Sequence, residues 1–284
     1  MDKQRLDLLM VERGLAESRS MAQRLVMAGQ VRVNGQVELK PATRIPPTAS
    51  LLVNQGPPYV SRGGEKLAAA LSAFDLMALD GRICVDVGAS TGGFTDCLLQ
   101  HGAGRVYAVD VGYGELHWKL RNDSRVVVME RTNARYVTGF PEPVTLIVID
   151  ASFISLKTIL PVVKDWLSPS LPTTIVALIK PQFEAGRADA ARGGGVIRDP
   201  AVHRRVLEQV LESARGFGYG VEGLIRSPLQ GPKGNIEFLV HLTYPAGQTG
   251  ASPDLKLLVD FLLADNESGL QSSIQSSAQS STED

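Results

Sequence analysis

Two cysteines among 284 residues are too few to build a disulfide scaffold, and they lie far apart. Cys84 sits in the apolar run Ile83-Cys84-Val85 and Cys97 in a segment with helical periodicity, so both read as reduced core thiols. No apolar stretch reaches the ~18 residues that cross a bilayer, and no membrane partner is expected. The opening MDKQRLDLLM has no signal-peptide apolar region, which points to the cytoplasm. His101, His117, His203 and His241 lack metal-ligand spacing, so no metal is expected. Charge of one sign is not in excess either, the net being −1.

The distribution of charge is more informative than its sum. Residues 1–66 hold ten Lys/Arg against six Asp/Glu, whereas the last 36 residues hold one against six. A basic head on a neutral body points to a polyanionic partner. With 44% hydrophobic and 21% charged residues, the chain can bury a core without staples.

Helical periodicity over 5–13 places Leu6, Leu9 and Met10 on one face, and over 20–28 it places Met21, Leu25 and Ala28 together. Ser18 or Ser20 caps the second helix. Val31-Arg32-Val33, Asn34-Gly35 and Val37 then read as a small hairpin. The pattern predicts a first domain over 1–54, a Gly-Pro-Pro linker over 55–60, and a second domain over 61–247. A tail over 248–284 follows, disordered from about 268, where Ser and Gln dominate.

In the second domain a helix at 62–74 precedes apolar runs at 83–87, 105–109, 125–129, 144–149 and 174–179. Strands alternating with helices predict a parallel sheet covered on both faces. Runs at 219–226 and 235–243, joined by a short Gly-Pro-Lys-Gly link, predict an antiparallel pair at its end. The fold class is therefore α/β: a Rossmann-like, mostly parallel sheet with a C-terminal antiparallel hairpin, preceded by a small α+β domain.

Val85-Asp86-Val87-Gly88-Ala89-Ser90-Thr91-Gly92-Gly93-Phe94 is a strand ending in an acid, then a small-residue turn into a helix. Such a turn lets a ligand approach the backbone. Its Gly-x-x-x-Gly-Gly spacing is not that of dinucleotide binding. The next strand, Val106 to Val109, ends at Asp110, whose carboxylate can take both ribose hydroxyls of an adenosine. Together these predict a site for S-adenosylmethionine.

Asp86-Val-Gly-Ala-Ser-Thr-Gly-Gly-Phe-Thr95 followed by Ala108-Val-Asp-Val-Gly-Tyr-Gly114 resembles the TlyA/hemolysin A family, whose catalytic domain is FtsJ-like. The N-terminal stretch agrees: Arg5-Leu6-Asp7, Gly14-Leu15, Ser18-Arg19-Ser20 and Val31 to Gly35 resemble the RNA-binding domain named after ribosomal protein S4. This resemblance, spanning residue 3 to about 245, implies a 2′-O-methyltransferase acting on ribosomal RNA, at cytidine, with rRNA or a ribosomal subunit as partner. It implies a Lys-Asp-Lys-Glu catalytic set, for which Lys66, Asp150, Lys180 and Glu237 are the candidates. The expected cofactor residues are Asp86, Gly88, Ser90, Gly92, Gly93, Phe94, Asp110, Asn133 and Asp150.

Three of the four catalytic candidates lie at or within apolar strands, where a charge needs a partner or a purpose. A ribose hydroxyl is a weak nucleophile that must be aligned and must lose its proton. Lys180 suits the base or alkoxide-stabilising role, with Asp150 between it and the cofactor, and Lys66 and Glu237 orienting the hydroxyl. Arg5, Arg19, Arg24 and Arg32 are the phosphate candidates of the head. The segment Glu184–Gly195, with Arg187, Arg192 and three glycines, reads either as a segment that closes over RNA or as a plain flexible loop.

Other chemistries fit less well. Cytosine C5 transfer needs a cysteine near the fourth strand, and amine methylation often uses an Asp/Asn-Pro-Pro-Tyr turn, which Asp150-Ala-Ser-Phe153 matches poorly. A pseudouridine synthase needs Gly-Arg-Leu-Asp, whereas Leu79-Asp-Gly-Arg82 precedes the cofactor turn. A non-catalytic assembly factor is disfavoured because all four reacting positions are filled. A haemolysin lacks support without an apolar span or a strong basic amphipathic helix.

Overall fold

The computed structural model describes residues 2–54, 56–247 and 253–264. Two compact units divide the chain, Met1–Pro58 and Tyr59–Asp284.

In the first unit, β1 (Gln4–Arg5) leads into α1 (Leu6–Glu12) and α2 (Arg19–Met27), followed by β2 (Val31–Val33), β3 (Gln36–Val37), β4 (Arg44–Ile45) and β5 (Leu51–Val53). Ser18 caps α2, its Oγ accepting from Met21 N at 3.3 Å. The β2–β3 hairpin forms as expected, and β5 adds a third strand on the far side of β2. Leu6, Leu9 and Met10 enter the core with Val31 and Ile45. The buried face of α2 differs from the expected one: Ala22 and Val26 are enclosed while Met21 and Ala28 are exposed. Two small side chains four apart fit the α1 contact, which a face led by Met21 would hold further away.

The second unit contains α3 (Gly63–Ala73), β6 (Ile83–Val87), α4 (Gly93–Gln100), β7 (Arg105–Val109), α5 (Trp118–Arg121), β8 (Val126–Met129) and β9 (Leu146–Ile149). It continues with α6 (Leu156–Asp165), β10 (Thr173–Ile179), α7 (Pro181–Glu184), α8 (Arg187–Arg192), α9 (Pro200–Gly216), β11 (Gly220–Arg226) and β12 (Phe238–Tyr244). Seven strands form one sheet in the order β11-β12-β10-β9-β6-β7-β8, parallel except for β12, which runs antiparallel to both of its neighbours.

Side-chain alternation along the strands feeds two cores. Val85, Val87, Ile147 and Ile149 face α6 and α9, whereas Cys84, Leu146 and Val148 face α3 and α4. A fully buried branched aliphatic side chain contributes ~1.5–3 kcal/mol, so alternation on both faces fixes the register. Burial pushes both thiols, Cys84 and Cys97, up to about 12, so they are inert core groups. A helix at 255–264 buries Leu255 and Val259 in the α6/α9 core, so the unit extends past the expected end at 247. The expected disorder from about 268 lies outside the described residues.

Strand β6 has β9 on one side and β7 on the other, so successive connections leave it in opposite directions. At such a switch point the loops beyond the strand ends part and leave a crevice.

Candidate active site

The register brings the candidate residues to this crevice. Val87 pairs with Val109 and with Ile149, so Gly88, Asp110 and Asp150 follow as neighbours beyond three adjacent strands. Because β12 runs antiparallel, its start lies beside the end of β10. Ile179 pairs with Phe238, which makes Lys180 and Glu237 neighbours. Lys66 arrives from the first turns of α3.

Two ion pairs result. Lys66 Nζ donates to Glu237 Oε2 at 2.5 Å, and both groups are buried. Lys180 Nζ stands 2.6 Å from Asp150 Oδ1 and donates to Ser152 Oγ at 2.8 Å. The Asp150 contact is a charge pair without hydrogen-bond alignment. Gln182 Nε2 reaches Glu237 Oε1 at 3.5 Å and links the two halves through the chain. A Cβ on Gly231 would come within 2.6 Å of that same Oε1, so only glycine lets the loop wrap Glu237 this closely.

Two cavities meet at Asp150. The larger, about 770 Å³, is bordered by Gly88, Ser90, Asp110, Asn133 and Phe153. The smaller, about 230 Å³, is bordered by Ser61, Arg62, Lys66, Gly93 and Pro232. Gly88, Ser90 and Asp150 line both. Lys180 lines neither and acts at their junction only beside Asp150 and Ser152.

The larger cavity fits an adenosyl cofactor. Gly88 has φ 88°, and a Cβ there would lie 2.6 Å from the Asp150 carbonyl, so the floor stays bare for a ligand. Asp110 is fixed before any ligand arrives: its oxygens accept from Ser90 N at 2.8 Å and Gly112 N at 2.7 Å. A carboxylate has about four acceptor positions, which leaves two for a ribose diol. Asn133 lines the wall, its Oδ1 accepting from Arg135 N at 3.1 Å. Phe153, at φ 63° and 90% exposed, stands at the rim with its ring 4.9 Å from Phe183.

Four expected cofactor residues, Asp86, Gly92, Gly93 and Phe94, stand outside the larger cavity. Asp86 is fully buried beneath the turn and lines neither cavity; its Oδ2 accepts from Thr95 Oγ1 at 2.7 Å. Burial pushes its carboxyl up to about 7, the Thr95 hydroxyl opposing and nearby Asp150 adding to the rise. It ties β6 to α4 and so positions the turn. Gly92 lines neither cavity: it has φ 95° before α4 and gives room to Leu116 and Leu120. Phe94 reaches the edge of the smaller cavity but is chiefly a core residue beside Leu67 and Leu71. Gly93 has a packing reason as well, since its Cβ would approach Gly64 N to 2.8 Å.

The segment after Lys180 is tied to the body at several points although much of it is exposed. Glu184 is buried and accepts from Ser155 Oγ at 2.6 Å and Leu156 N at 2.7 Å, holding the start of α6. Asp189 pairs with Arg192 and Arg205. These ties oppose the expected closure of this segment over RNA. Sequence reasoning also missed Ser61, Arg62, Ser152, Gln182 and Pro232. None carries a motif signal of its own; the closeness of Gln182 to Lys180-Pro181 is the one hint that could have found it.

In the first unit, Arg5 and Arg19 are not free surface cations. Buried Asp7 accepts from Arg5 Nη2 at 2.8 Å, Arg19 Nε at 3.0 Å and Gln23 Nε2 at 2.9 Å. The Arg5 hydrogen bonds hold the Asp7 carboxyl well below the usual range. Both guanidiniums keep an exposed edge, with side chains 33% and 54% accessible. Arg24 and Arg32 are exposed, Arg32 donating only to the Gly35 carbonyl.

The FtsJ-like methyltransferase model matches residues 59–244, and the S4 domain model matches residues 4–50. The 16S/23S rRNA (cytidine-2′-O)-methyltransferase TlyA of Mycobacterium tuberculosis is 48% identical, over 84% of this chain and 89% of its own. Hemolysin A of Brachyspira hyodysenteriae is 44% identical, over 84% and 98%. A solved Streptococcus thermophilus chain, named as a candidate hemolysin, superposes with a TM-score of 0.70 at 43% identity, covering 97% of this chain and 99% of its own. Domain order, sheet and cavity floor agree with these matches: the chain belongs to the TlyA/hemolysin A family, an S4 head joined to an FtsJ-like methyltransferase body.

Proposed function

We propose that this protein methylates the 2′-hydroxyl of a cytidine in ribosomal RNA, using S-adenosylmethionine, in the cytoplasm. The observation that carries the reading is the placement of Asp150, at the junction of the two cavities and paired with Lys180. Gly88, Ser90, Asp110 and Asn133 would hold the cofactor, which supplies a methyl group already activated by its sulfonium charge.

The protein's own residues then act on the ribose. Lys66 lines the smaller cavity, and its pairing with buried Glu237 behind it fixes both side chains before substrate enters. Preorganised groups of this kind hold the hydroxyl at the reacting distance. Lys180, as an ammonium donating to Ser152 and charge-paired with Asp150, stabilises the negative charge that develops on the ribose oxygen as its proton leaves. The Asp150 carboxylate lining both cavities would take that proton as the O–CH3 bond forms and the methyl–sulfur bond breaks, the thioether being the leaving group. Lys180 thus serves as the charge stabiliser and Asp150 as the acceptor.

The test is mass-spectrometric mapping of ribose methylation in rRNA from cells with and without the gene, complemented by wild type or Lys180→Ala. Loss of a 2′-O-methylcytidine on deletion, restored by wild type alone, supports the reading. An unchanged methylation map would end it.

A further inference from the structure

Two cations near the smaller cavity have no carboxylate, ring or hydrogen-bond partner among the described residues: Arg62, which lines it, and Lys233, which follows the lining residue Pro232 in the chain. Several other cations of this unit are committed: Arg105 to Glu142, Arg121 to Glu130, Arg125 to Asp123 and Arg205 to Asp189. Arg62 immediately precedes α3 and stands four residues before Lys66, with both side chains bordering the cavity. Like charges at this spacing repel by a few tenths of a kcal/mol, a cost that a bound anion would reverse.

Lys233 lies on a different element, the link between β11 and β12. Pro232 lines the cavity, and Lys233 follows it on a fixed turn in which Gly234 N donates to Gly231 O at 2.8 Å and Gly231 N to Asn235 O at 2.9 Å. Buried Asn235 anchors that turn, accepting from Ile197 N and donating to Gly195 O, both at 2.9 Å. The Lys233 ammonium stands over Gly195, 3.9 Å from the place of an added Cβ. It is therefore an unpaired cation on a hydrogen-bonded turn, one residue from the cavity lining.

We propose that Arg62 and Lys233 hold the phosphates on the two sides of the target ribose, so that the protein accepts an internal nucleotide of a strand rather than a nucleoside or a chain end. This rests on the ribose-methylation reading. Only an internal nucleotide carries a phosphate on both sides of its ribose, and only such a substrate can engage both cations while its hydroxyl faces Lys66. Neither cation reads a base edge, so they set placement rather than sequence.

Full-length wild type, Arg62→Gln, Lys233→Gln, the double variant and Arg62→Lys test the proposal. Filter binding to purified bacterial rRNA over a salt series is run beside steady-state methyl transfer and cofactor calorimetry. Each neutral substitution is expected to raise the RNA Kd and KM roughly tenfold, as for a lost charge-assisted contact. Each should also reduce the salt slope by about one, with kcat and cofactor affinity little changed. Arg62→Lys should recover the slope. An unchanged Kd and slope in the double variant overturns the proposal, as does a fall in kcat at constant KM. If wild type transfers no methyl to ribose, the functional reading fails, yet the binding series still decides whether these two cations hold phosphate.

Discussion

Lys66 and Glu237, 171 positions apart in the chain, meet at 2.5 Å inside the second unit. An isolated ion in that interior costs several kcal/mol, whereas removal of the whole pair can be neutral. Lys66→Ala is therefore expected to destabilise the protein by about 3 kcal/mol, and Lys66→Met with Glu237→Leu by much less. Both proteins should have lost methyl transfer. Urea unfolding with single-turnover assays separates the two effects, and an active double variant would reduce the pair to a structural pin.

Asp110 is the cofactor-side counterpart. Asp110→Ala should weaken S-adenosylmethionine binding by ~1.5–3 kcal/mol, the worth of a charged hydrogen bond. It also frees Ser90 N and Gly112 N, so the turn loosens. Calorimetry on folded variant protein reads the loss, and wild-type affinity would remove Asp110 from the site.

Asp86 predicts an unusual pH dependence. Its carboxyl is raised from 3.8 to about 7 by burial, so between those values the folded protein holds a proton that the unfolded chain has released. The stability this contributes is fully present below pH ~4 and is lost as pH rises through ~7. Asp86→Asn, which stays neutral, should therefore be more stable than wild type at pH 8, by roughly 2–4 kcal/mol, with the gap closing towards pH 4. Denaturant titrations at pH 4.5, 6 and 8 give the trend. A gap that is constant with pH would mean that Asp86 does not titrate in this range.

The head should govern RNA affinity separately from cofactor binding. A chain beginning at Pro58 keeps Lys66, Asp150, Lys180 and Glu237, and should bind cofactor as wild type does. Its affinity for rRNA should fall, with a shallower salt dependence, because fewer phosphate contacts release fewer counterions. Equal slopes for the two proteins would show that the head does not hold RNA.

The strand ends were legible in the sequence because an apolar run that stops at an acid or a lysine seldom occurs except where a strand leaves the core. Asp110 was found that way, the small-residue turn marked Gly88 and Ser90, and the family resemblance pointed to Asp150 and Lys180, whose strand-end positions agree with it. Partnership was not legible. That Arg5 and Arg19 share Asp7 depends on how α1 and α2 face each other. That Asp86 turns inward depends on Thr95, nine residues away. Gln182 and Ser152 carry no signal until the β10–β12 register brings Glu237 and Lys180 together. Helix 255–264 was hidden by its polar continuation, although Leu255 and Val259 have the spacing of a buried face.

The position of β12 between β10 and β11 sets an order of events during synthesis. When β10 and then β11 leave the ribosome they are not neighbours, and the flank of β10 that β12 later covers is an open row of peptide groups. Such a flank invites pairing with foreign strands. One late segment, 238–244, fills the gap on both sides and in the same movement carries Glu237 to Lys66. A nascent chain stalled before that segment would thus be both inactive and adhesive, and a folding helper would be needed most in the interval between residues 179 and 244.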